Sequence, residues 1–83
     1  MAEKTEPEIR LEKLGEFIRR TRRAQGISRA RLAAKMKMHP MNYAKIERGK
    51  QNVTYETLVR IAKGLGLDLR IAFDEPKRKR KRS

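Results

Sequence analysis

Met41, Asn42 and Lys45 fall within five residues and carry three chemistries that match the edges of base pairs. A carboxamide such as Asn42 presents a donor and an acceptor side by side, the pattern that pairs with N6 and N7 of adenine. The Lys45 ammonium suits guanine O6 or N7, and the Met41 thioether packs on a thymine methyl. Arg29, Arg48, Lys50, Gln51 and Asn52 add charges and amides suited to phosphate oxygens, contacts that position a protein without reading sequence. The plainer alternative for Asn42 and Lys45 is a solvated helix face, and for Met41 a core position.

No other constellation competes. Gly64-Leu65-Gly66 is too short to cradle a phosphate and follows a helical pattern rather than a strand. Ser28 has no neighbouring base, and Glu12 with Glu16 reads as a solvated i, i+4 pair. With no cysteine and the single histidine His39, neither a thiolate site nor a histidine cluster can form. The expectation is a non-enzyme without metal or cofactor. No apolar run approaches the roughly 18 residues of a membrane span. Met1 to Glu8 is too acidic for a signal peptide, so a cytoplasmic, nucleoid-associated protein that avoids membranes is expected.

The net charge of +13 over 83 residues is unevenly placed. Residues 1–8 carry −2, residues 9–49 carry +9, residues 50–76 are neutral, and residues 77–83 carry +6. Such a distribution suits a polyanionic partner at the first half and the tail, with double-stranded DNA the best fit. A nonspecific nucleic-acid binder driven by the tail is the competing reading.

These side chains need elements to hold them. Leu11, Leu14 and Ile18 recur at helical spacing and predict a helix over residues 9–25, closed by Gly26. Ser28 is the N-cap of a second helix to about Met36, with Leu32, Ala33 and Met36 inward. His39 and Pro40 open a third helix that buries Tyr43 and Ile46 and ends at Gly49. Thr54 opens a fourth to about Lys63, burying Leu58, Ile61 and Ala62, with Gly64 and Gly66 to stop it. Ile27/Leu32, Met38/Tyr43 and Val53/Leu58 flank the three internal caps as hydrophobic staples. Tyr43 is expected in the core rather than as a stacking ring.

The stretch Ile27 to Gly49, ISRARLAAKMKMHPMNYAKIERG, fits two short helices about a tight turn, the second able to lie in a major groove about 12 Å wide. With its neighbours it resembles the phage repressor/Cro-type (XRE) helix-turn-helix family. The matches are Leu14-Gly15, Ile18 with Arg22, Gly26-Ile27-Ser28, Leu32-Ala33, Ile46-Glu47 with Gly49, and Leu58 with Ile61-Ala62. The resemblance implies a compact helical bundle and a structural ion pair between Arg22 and Glu47. Three departures stand out. Arg29 replaces a glutamine that commonly touches phosphate. Lys37 replaces the glycine of the turn, so that either its side chain is strained or the turn differs slightly. Pro40 replaces a residue that often reads a base, which shifts reading toward Met41, Asn42 and Lys45.

Beyond Gly66, Leu67, Leu69, Ile71 and Phe73 alternate with polar or small residues, the period of a strand. A lone apolar edge invites pairing with a second copy, and some antitoxins of this family are similar; a short fifth helix is the alternative. The expected fold is therefore mostly α: a four-helix repressor-like helix-turn-helix domain with a C-terminal β-strand paired across a dimer. Its parts are a flexible segment 1–8, the DNA-binding domain 9–66, a dimerisation strand 67–74 and a disordered basic tail 75–83. The expected function is a homodimeric repressor reading a palindromic operator. The alternative is an antitoxin that also binds a toxin protein.

Overall fold

The computed structural model describes residues 3–72. They form four helices: α1 (Glu6–Ala24), α2 (Arg29–Lys35), α3 (Pro40–Glu47) and α4 (Tyr55–Gly64). Each begins on a side chain that accepts a backbone N–H otherwise without a partner in the first turn. Ser28 Oγ accepts from the Arg31 amide at 3.1 Å, His39 Nδ1 from Met41 at 3.1 Å, and Thr54 Oγ1 from Thr57 at 3.1 Å. The residue before each of these caps, Ile27, Met38 or Val53, packs against the core, so the chain is anchored just outside every helix.

That core joins Ile18 of α1, Leu32 and Ala33 of α2, Tyr43 and Ile46 of α3 and Ile61 of α4, together with Met36 and Leu65 at the ends of α2 and α4. Helix α3 lies against both α1 and α2, so its inner face is fixed from two directions.

Two boundaries differ from expectation. Helix α1 starts at Glu6 rather than Ile9, which makes part of the supposedly flexible segment 1–8 helical. The cause is a capping box: Thr5 Oγ1 accepts from the Glu8 amide while the Glu8 carboxylate accepts from the Thr5 amide. Gly64, expected to stop α4, lies inside it. A side chain there would press within 2.7 Å of Leu32 Cδ1, so this glycine lets α2 and α4 meet.

The strand expected over Leu67 to Phe73 is absent among the described residues: 67–72 belong to no helix or strand. A strand exists only with a ladder partner, and the described residues of one chain contain no second strand. Phe73 and the basic run Lys77 to Arg82 lie outside the described residues.

All four helices end alike. The residue after the C-cap takes a left-handed conformation, and its own amide and the one that follows turn back onto carbonyls of the last turn, the Schellman arrangement. In α1, α3 and α4 that residue is Gly26, Gly49 or Gly66; in α2 it is Lys37, at φ 55°. A residue with a Cβ pays about 1–2 kcal/mol for this region, while a glycine loses more backbone entropy on folding. Lys37→Gly is therefore expected to raise stability by about 0.5–1 kcal/mol, or about 2–8 °C in melting temperature. A thermal melt showing no rise would mean that the turn holds Lys37 without strain.

Candidate nucleic-acid interface

Helix α3 divides its side chains cleanly. Tyr43, Ile46 and Glu47 are buried, while Met41, Asn42 and Lys45 stand on the opposite, exposed face. Met41 is 68% exposed, which removes it from the core positions open to it. Pro40 occupies the first turn, where its lack of an N–H leaves no donor unsatisfied. Beyond the helix, Arg48, Lys50 and Asn52 are exposed and Gln51 is half-buried.

From Arg29 to Asn52 the chain carries one carboxylate, Glu47, and it is buried. Arg29, Arg31, Lys35, Lys37, Lys45, Arg48 and Lys50 are all exposed. The outer surface of α2, the turn and α3 is thus uniformly cationic, the electrostatic footprint expected of a surface that meets phosphates.

The buried side of α3 is held by one polar cluster. Arg22 of α1 donates from Nε to Glu47 Oε2 at 2.5 Å and from Nη2 to Oε1 at 3.3 Å. Its Nη1 donates to the Ile27 carbonyl at 2.8 Å, tying in the turn between α1 and α2. Tyr43, one helical turn before Glu47, donates its hydroxyl to Oε2. Arg29, at the first position of α2, donates from Nε to Oε1 at 3.0 Å. Burial by itself would raise the Glu47 carboxyl, but hydrogen bonds from Arg22, Tyr43 and Arg29 outweigh it and hold the group below its ordinary value. The same bond to Glu47 raises the Arg22 guanidinium, and burial followed by Glu47 pushes the Tyr43 phenol up. The cluster is charged and, apart from the outer edge of Arg29, buried, and it joins α1, α2 and α3 at the end of α3.

Arg29, expected among the phosphate contacts, is thus also a member of this cluster, with its side chain 53% exposed. Its membership of this cluster, and that of Tyr43, escape a reading of the sequence. The four-residue interval from Tyr43 to Glu47, which sets two side chains on one helix face, is the signal that points to the second.

Among the described residues no group of three or more histidine, cysteine, aspartate or glutamate side chains is placed to hold a metal ion. No described helix is long and apolar enough to cross a membrane.

The family model described as helix-turn-helix matches residues 18–71. Solved structures similar to the chain at low identity include two regulators. The restriction-modification controller protein C.AhdI from Aeromonas hydrophila superposes with a TM-score of 0.71 at 28% identity, covering 72% of this chain and 91% of its own. The clp gene regulator ClgR from Corynebacterium glutamicum gives a TM-score of 0.71 at 26% identity, covering 83% of this chain and 85% of its own. None of the curated protein sequences matches the chain. The matched span takes in α2, the turn and α3 whole, and with the exposed outer face of α3 it places this chain in the XRE/Cro-type helix-turn-helix family of DNA-binding transcription regulators.

Proposed function

We propose that the chain is a sequence-specific transcriptional repressor that reads a palindromic operator as a homodimer, with α3 in the major groove. One observation carries this reading: Met41, Asn42 and Lys45 share the solvent face of a helix whose other face is locked into the core. Arg48, Lys50, Gln51 and Asn52 then follow the phosphates beside the groove. The names of the two neighbours, a controller protein and a gene regulator, support gene control as the biological setting. Repression needs only that the bound protein occupy a promoter.

Asn42→Ala or Lys45→Ala is expected to cost about 1–3 kcal/mol on the selected operator and much less on random duplex DNA. Both side chains are exposed, so thermal stability should hardly move. Selection of bound sites from a random DNA pool supplies the operator and tests the proposal. Enrichment of two inverted half-sites about one helical turn apart supports it, and a pool that shows no enrichment overturns it.

Dimerisation rests on the apolar residues past α4. Leu67 is 39% and Ile71 54% exposed, with Leu69 half-buried between them. Paired with the same segment of a second copy, Leu67, Leu69, Ile71 and Phe73 would gain the ladder partner that a single chain lacks. Ile71→Glu should then sediment as a monomer and lose the preference for two half-sites over one. A surviving dimer would place the interface elsewhere. No separate observation favours an antitoxin role.

A further inference from the structure

We propose that Arg29 is a positioning residue that couples phosphate binding to the orientation of α3, and so contributes to base discrimination without touching a base. The proposal rests on the DNA-reading role of α3 put forward above.

Arg29 opens α2 and Glu47 closes α3, and the 3.0 Å bond between them spans the two helices of the motif. The Glu47 side chain is 2% exposed, whereas that of Arg29 is 53% exposed. One guanidinium therefore touches a buried carboxylate at its inner edge and water at its outer edge. Its Nε is committed to Glu47, and its Nη groups have no hydrogen-bond partner among the described residues. Because the guanidinium is planar and rigid, fixing Nε against the carboxylate also fixes the direction of the Nη donors. A phosphate seated on those donors is then geometrically tied, through a single side chain, to the last residue of α3.

Arg48 and Lys50 are also exposed cations of the interface, but no ion pair of the described residues holds them. A phosphate on either constrains only a loose side chain. At Arg29 the link runs in both directions: a correctly placed α3 presents Arg29 to the backbone, and a bound backbone steadies α3. A lysine keeps the charge but not the planar fork, so it holds Glu47 or the phosphate without fixing one relative to the other.

The test compares affinities for the selected operator and for random duplex DNA at one salt concentration. The proteins are the full chain and its Arg29→Ala, Arg29→Lys, Lys50→Ala and Asn42→Ala variants, each confirmed folded by circular dichroism and titrated for active fraction. Lys50→Ala should weaken both complexes by a similar factor and leave their ratio intact. Arg29→Ala should weaken both and also lower the ratio by about tenfold. Arg29→Lys should recover random-DNA binding while the ratio stays low, which a mere loss of charge would not produce. An unchanged ratio in both Arg29 variants makes Arg29 an ordinary phosphate contact and overturns the inference. Unchanged affinity for both DNAs reduces Arg29 to a structural tie and overturns it as well. In each case a lowered ratio for Asn42→Ala shows that the base-reading assignment survives; if that ratio is also unchanged, the assignment falls and this inference with it.

Discussion

Replacing Glu47 with alanine is expected to destabilise the domain by about 3–5 kcal/mol, because it strands a buried arginine. Domain stabilities are about 0.05–0.15 kcal/mol per residue, so a loss of this size leaves a chain of 83 residues marginally folded. The reason is local. Arg22 is 6% exposed, and apart from the Ile27 carbonyl its donors point at Glu47. Removing the carboxylate leaves a desolvated guanidinium and an orphaned Tyr43 hydroxyl at the junction of three helices. Glu47→Gln keeps the shape and an acceptor but not the charge, and should fall between alanine and the native residue. Urea unfolding measures all three, and a native-like midpoint for Glu47→Ala would refute this account of the cluster.

The same cluster predicts an acid limit. The Glu47 carboxyl lies below its ordinary value in the folded chain, whereas in the unfolded chain it titrates near 4.3. Its stabilising contribution is therefore fully present above about pH 4.3. Below that the unfolded state binds the proton first, and the contribution fades as pH falls toward the folded-state value. Native protein should lose stability on acidification more steeply than Glu47→Gln, which has no proton to take up there. Parallel acid limbs for the two proteins would show that other carboxylates set the limit.

Gly15→Ala should be nearly as damaging, against the usual sign. In an exposed helix interior this exchange gains about 1 kcal/mol. Here a Cβ would lie 2.4 Å from the Glu47 carbonyl oxygen and 2.5 Å from that of Ile46. Both obstacles are backbone, so no rotamer change relieves them and α1 must move away from α3. Overpacking of this kind costs typically about 1–3 kcal/mol, occasionally more. The movement would also disturb the Arg22–Glu47 contact and add to the loss. A melting temperature that rises on substitution would mean that the two helices are less closely seated than the geometry says.

These results show what the sequence made legible. The helices at Ser28, His39 and Thr54 could be placed because each start combines a capping residue with apolar neighbours on both sides, and those signals are local. The start of α1 was harder to see, since Thr5 and Glu8 form their box ahead of the first apolar repeat at Leu11. The alternation from Leu67 to Phe73 describes what a second strand would find, while the ladder itself needs residues that one chain does not supply. The exposed and buried faces of α3 follow from helical period. The contacts of Arg29 with Glu47 and of Gly15 with the end of α3 join positions far apart in sequence. There a glycine looks like a weak helix former and an arginine like surface charge until the packing is known.

The division of α3 into a locked face and an open one also bears on how such a protein can change over generations. Met41, Asn42 and Lys45 belong to no part of the buried core, so their identities are free of the demands that keep Tyr43, Ile46 and Glu47 in place. Substitutions on the open face can accumulate, be tested and be exchanged while the scaffold beneath them stays folded. On the proposed reading of α3, a lineage built on this helix can acquire new targets by small steps, without passing through unfolded ancestors.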